Sequence, residues 1–201
     1  GYQAGKAITS GGVNTLVGNN AGDALTTGSA NVVVGHNALS AEDGNGHNVA
    51  IGYESLANQN AGANALNVAV GFQAGLQITT GIQNTLIGAA AGDALTTGSR
   101  NIAIGFAALT VEDTGGRNIA IGRSALAVLD AGQDGYNVAI GDDAGVSMST
   151  GVKNVLIGGA AGDALTIGQF NIAIGHKALS TSVDGDENVA IGYLALEDYE
   201  D

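Results

Sequence analysis

One five-residue phrase, Asn-x-x-x-Gly with an apolar middle, constrains this chain more than any other feature. Its asparagines are Asn14, Asn31, Asn48, Asn67, Asn84, Asn101, Asn118, Asn137, Asn154, Asn171 and Asn188, and at residues 48–52 it reads NVAIG. Successive copies lie 17 residues apart except for two steps of 19, so four phrases make a longer unit of 70 residues. That longer unit is visible elsewhere, in AGDALTTG at 21–28 and 91–98 and AGDALTIG at 161–168. A fixed short period marks a repeat architecture in which each unit packs mainly on its neighbours. The expectation is one elongated repeat domain over residues 1–201, with super-repeats 1–70, 71–140 and 141–201. Gly1 stands where a phrase ends, which reads as a piece of a longer fibre.

Within each phrase the first and third residues after Asn are mostly Val or Ile, and the second is Ala, Leu or once Val33. Alternate residues of a strand face opposite sides, and a run that is apolar on both sides implies burial on both. The spacing therefore predicts an all-β, parallel β-solenoid with 17- or 19-residue coils, apolar within and against a neighbouring chain. We assign the Val/Ile face to the coil interior and the Ala/Leu face to the neighbour, because small residues allow close approach; the reverse assignment is left open. After the phrase glycine, a shorter apolar step such as Ala21-Gly22 or Ala38-Leu39 predicts a second strand. The recurring Asn has two readings, an amide ladder between equivalent residues or a turn-forming residue. The extra residues of the two 19-residue steps fall in the polar connection, as insertions in solenoids fall in loops.

The 34 glycines and absent proline suit tight turns between strands that need every backbone N–H. The formal charge is −13, and the six Lys and Arg residues are scattered, which argues against nucleic-acid binding. No apolar run approaches the roughly 20 residues of a membrane span. Without cysteine there is no disulfide, thiolate metal site or thiol nucleophile.

NTLVGNNAGDALTTG at 14–28 and NVVVGHNAL at 31–39 resemble the 17-residue arrays of phage tail fibres and related virus-encoded surface proteins. NVAIGYESLA at 48–57 is also similar to the head repeats of YadA-like trimeric autotransporter adhesins, although the present coils are longer. The resemblance implies a trimeric fibre of parallel β-solenoids engaged in attachment. Its implied partners are two further copies of the chain, other fibre or virion proteins and cell-surface glycan, and its implied setting is extracellular. A bacterial surface adhesin that binds host or matrix directly is the alternative.

No catalytic, cofactor or metal site is expected. His36 and His176 share a repeat position with Phe106, and His47 has no repeated acidic partner. Acidic loops at 42–46, 112–116 and 184–187 offer carboxylates to calcium, but their spacing matches neither an EF-hand nor the calcium β-roll nonapeptide, so we read them as solvated turns. Tyr2, Tyr53, Phe72, Phe106 and Tyr193 all follow a phrase glycine, which predicts a ring stripe that contacts glycan or pads neighbouring chains. Two remote alternatives fit less well. A hexapeptide-repeat acyltransferase needs three hexads in 18 residues, and an ice-binding array needs threonine in every coil.

Overall fold

The computed structural model describes residues 1–197; the last four residues of the expected repeat domain lie outside the described residues. Among the described residues every regular element is a three-residue strand, from β1 (Thr15–Val17) to β11 (Val189–Ile191). The eleven strands form one parallel sheet in sequence order. The fold is a parallel β-solenoid in which each turn of the chain is one repeat. Phrase lies on phrase without slip, even across the longer coils, where Ala50 pairs with Ala69 and Ala120 with Ala139.

The two ends of the phrase explain why the strands are so short. At the first end, each Asn side chain is held in a ladder: the Asn31 N–H donates to Asn14 Oδ1 at 2.9 Å, and the Asn118 N–H to Asn101 Oδ1 at 2.9 Å. The amide nitrogen donates in turn to a carbonyl in its own coil, as Asn84 Nδ2 does to Gly98 O at 2.9 Å. Of the two readings of the recurring Asn, the ladder is the one that forms. At the other end, phrase glycines such as Gly105 adopt φ +136°, in a region that side chains resist. A Cβ on Gly105 would also collide with the carbonyl oxygen of Gly122 in the next coil. Gly105→Ala is therefore expected to cost about 2–6 kcal/mol from strain and overpacking together, read as a shift in denaturant midpoint. Gly159→Ala is the control, because its Cβ would meet only His176 Cδ2 at 3.4 Å and Asp142 O at 3.9 Å.

The sheet faces are the reverse of the assignment made from sequence. The central residues Val33, Ala50, Ala69, Leu86, Ala103, Ala120, Ala139, Leu156 and Ala173 are fully buried inside the single chain. The flanking Val and Ile residues are half-buried or exposed, Val49 and Ile51 partly and Ile174 at 36%. Close approach was the right physical cue applied to the wrong neighbour, since the wall that comes near the small residues is the other side of the same coil.

That other wall carries Ala21, Ala38, Ala74 and their equivalents, followed by Gly or Leu and, further on, a second large residue. The expected second strand does not form there. Instead, residues on both sides of the alanine have left-handed backbone, such as Asn37 (φ 53) and Leu39 (φ 48), which an extended strand cannot accommodate. The inter-coil hydrogen bonds persist regardless: Gly22 N–H donates to Ala38 O at 2.9 Å and Leu39 N–H to Ser55 O at 3.0 Å.

The 70-residue unit is explained by core volume. In the coils that begin at Asn67 and Asn84, the second wall carries Gly75 and Gly92. A Cβ on Gly75 would lie 2.7 Å from Leu86 Cδ1 and 3.0 Å from Leu56 Cδ2, and one on Gly92 2.8 Å from Leu86 Cδ2. In the coils of Asn101 and Asn118 the same position holds Leu109 and Leu126, and the facing strand residues are only Ala103 and Ala120. Leucine is thus supplied from one wall or the other, in a four-coil cycle that keeps the interior close-packed.

Candidate functional site

The outward residues of the phrases align along the sheet in two rows, eleven coils long, in which only Thr15 and Thr85 are not Val or Ile. With strands about 4.8 Å apart, this apolar face runs for about 48 Å. Two further rows border it. A leading ridge is formed by the residue before each phrase Asn, including His47, Leu66, Gln83, Arg100, Arg117, Tyr136, Lys153 and Phe170. A trailing ridge is formed by the residue after each phrase glycine, which contains the five aromatic residues singled out from sequence.

On the trailing ridge, the His36 and Tyr53 rings stack at 5.2 Å and 7°, and Tyr53 and Phe72 at 5.4 Å and 10°. Tyr193 stacks on His176 at 5.9 Å. Tyr2 is 72% exposed beside Gln3, and Phe106 is 62% exposed between coils that carry Ala89 and Arg123 at its position. The five residues therefore share one side of the rod without making a continuous stripe. Where rings do stack, they cover one another's faces and present edges outward, a geometry suited to apolar packing more than to a sugar face. Glu54, beside Tyr53, accepts from Gln73 Nε2 at 2.9 Å, and that bond holds its carboxyl below the usual range; the hydrogen bond and charge of Glu54 push the Tyr53 phenol up.

The leading ridge was not anticipated. Its residues have left-handed backbone, from Val13 (φ 51) to Glu187 (φ 60), although none of them is glycine. Arg117 lies over the Tyr136 ring at 5.3 Å and Lys153 over Phe170 at 4.8 Å. A variable residue fixed in place before every phrase Asn was the available signal.

Charge is divided between the two sides of the coil. Among the described residues, the face, its ridges and the residue after the trailing ridge carry Arg100, Arg117, Arg123, Lys153 and Lys177 against Glu54, Asp142, Asp143 and Glu187. Twelve described carboxylates and Lys6 lie elsewhere. The apolar side is therefore close to neutral, and the repulsion inherent in a −13 chain is concentrated away from it.

Comparison with known protein families, curated proteins and solved structures gives no match. Among the described residues, no helix is long and apolar enough to cross a membrane.

The acidic loops differ from the solvated turns expected. Glu42 and Glu112 are fully buried. Glu42 Oε1 accepts from the Asn45 backbone and side-chain amides at 3.1 and 2.8 Å, and Oε2 from Gln59 Nε2 at 3.3 Å. Glu112 Oε1 accepts from the Gly115 N–H at 2.7 Å and Oε2 from the Ala131 N–H at 3.1 Å. These carboxylates close loops by satisfying backbone donors, which is why they turn inward. Glu112, Asp113 and Asp130 each place an oxygen within 4.8 Å of the others. The first super-repeat has Asn60 in place of Asp130, so the cluster does not recur, and both Glu112 oxygens already accept from backbone N–H groups.

Burial pushes the Glu112 carboxyl up, and the nearby charges of Asp130 and Asp113 push in the same direction. A folded-state pKa above the unfolded value makes protonated Glu112 a stabilising group at low pH, and that contribution is lost as pH rises through the folded value. Leu129 occupies the position that Gln59 holds beside Glu42. Leu129→Gln should give Glu112 a donor and flatten this segment of the melting-temperature profile against pH. The added hydrogen bond to a charged group and the lost leucine burial are each about 1.5–3 kcal/mol, so the slope is the quantity to read. An unchanged slope would show that burial without a donor does not set the Glu112 proton affinity.

Proposed function

We propose that this chain is the rod segment of a homotrimeric extracellular fibre, which spaces and presents an attachment tip of a phage or virus and has no catalytic role of its own. One observation carries the reading: a continuous Val/Ile face about 48 Å long lies outside the hydrophobic interior of the single chain. Contiguous apolar patches on monomeric proteins are about 300–600 Å² at their largest and commonly functional. With its ridges this face spans at most about 20 Å across, on the order of 1000 Å², comparable with the roughly 800 Å² per partner of a stable interface.

The remaining features support a mechanical role. Repeats that contact only their neighbours give length by addition, and parallel chains joined along one side stiffen it. Edge-on rings on the trailing ridge serve as padding between chains. Light scattering on the purified chain tests the reading, with an expected mass three times 19.6 kDa. A folded, soluble monomer at micromolar concentration would overturn it.

A further inference from the structure

We infer that in the assembly the leading ridge of each chain lies against the trailing ridge of the next, coil for coil. The inference rests on the trimeric reading and specifies which residues meet. Closed oligomers of identical chains have point-group symmetry, which allows no axial shift around the ring. With parallel chains whose Val/Ile faces point to a common axis, one edge of each face must meet the opposite edge of its neighbour. Those edges are the two ridges.

The side chains brought level by this rule fit one another. The two smallest residues of the trailing ridge after its first coils, Ala89 and Gly159, come opposite the long Gln83 and Lys153. Ala30, the smallest residue of the leading ridge, comes opposite His36. Leu66 meets Phe72, and Arg100 meets Phe106, whose ring is 62% exposed and has no aromatic neighbour on its own ridge. A guanidinium over such a ring is a favourable cation–π contact. Arg117 and Arg123 also come level, but each is already held by carboxylates of its own chain: Arg117 by Asp134 at 2.6 Å, and Arg123 by Asp142 at 2.9 Å and Asp143 at 2.6 Å. The near-neutral balance of this side permits the approach that the acidic side of the rod opposes.

The chain has no cysteine, so disulfide trapping reads the contact directly. In the double variant Gln83→Cys with Ala89→Cys, the two positions flank the strand Thr85–Ile87. Three strand residues at about 3.3 Å each exceed the roughly 7 Å Cα separation that a disulfide spans, so a bond within the chain is precluded. Mild oxidation should convert most of the double variant into covalent dimers and trimers on denaturing gels, while each single variant stays uncrosslinked. Mixing the two single variants before refolding should give a covalent dimer containing one chain of each. Circular dichroism of the reduced proteins confirms that they fold, and light scattering gives their mass. An oligomer that does not crosslink, or single variants that crosslink to themselves, would overturn the ridge pairing and leave the trimeric rod standing. A folded monomer in the reduced state would overturn both.

Discussion

Ala120→Glu is expected to unfold the coils around it, whereas Ile121→Glu, one residue on, should leave the coil folded and break the assembly. Ala120 is fully buried between the walls of one chain, packed in a cluster that contains Leu109, Leu126 and Ala139. A carboxylate there has no donor to pair with, and an unpaired buried charge costs on the order of 4–5 kcal/mol or more. Ile121 is partly exposed on the outer face, so a glutamate there stays hydrated in the separated chain and meets apolar surface only in the oligomer. Thermal melts followed by circular dichroism should show a much lower transition for the first variant. Light scattering should show a smaller particle for the second. If the two variants lost structure equally, the distinction between the inner and outer faces would be wrong.

Asn101→Ala should be more damaging than Asn118→Ala, although the two residues occupy the same place in the phrase. Asn101 accepts from the Asn118 N–H at 2.9 Å and donates through Nδ2 to Gly115 O at 3.0 Å. Truncation leaves a buried donor and a buried acceptor unpaired, at about 1–3 kcal/mol each. Asn118 accepts from the Asn137 N–H at 3.2 Å, but its Nδ2 is buried without a hydrogen-bond partner. The same is true of Asn48 Nδ2, and these two residues begin the 19-residue coils. The longer loop has moved the acceptor carbonyl away, so alanine at 118 forfeits one role and also removes an unsatisfied group. Urea midpoints should separate the variants by about 1–3 kcal/mol. Equal losses would mean that the Nδ2-to-carbonyl bond contributes nothing.

The strength of the repeat signal made the parallel solenoid readable from sequence. A five-residue phrase that returns eleven times must stack on itself, because no other arrangement gives every copy the same surroundings. The asparagine ladder was readable as one of two outcomes for the same reason. The direction of the faces was not readable, because Val49, Ala50 and Ile51 are all apolar and a hydrophobic pattern separates faces only when one of them is polar. The second wall misled for a different reason. Ala38 and Leu39 look like strand residues, but Leu39 has φ 48 and Leu109 φ 54, a backbone that local propensity assigns to glycine. Left-handed leucines are sustained by hydrogen bonds to the coils on either side, so no single repeat read alone reveals them. The inward carboxylates were hidden likewise: Glu42 and Glu112 look like loop surface until the N–H groups that they cap are in view.

The alternation of Gly75 and Gly92 with Leu109 and Leu126 sets the quantum in which such a rod can change its length. Excising residues 84–100 alone would remove Leu86, whose methyl groups fill the space over Gly75, and would set Ala103 beside that vacancy. Excising residues 84–153 instead rejoins Asn154 and Leu156 to the coil that ends at Gln83, with every leucine again facing its glycine. Genetic drift in rod length is thereby steered toward multiples of four coils, graduations of about 19 Å. A seam at any other interval would carry its own cavity as a record of the splice.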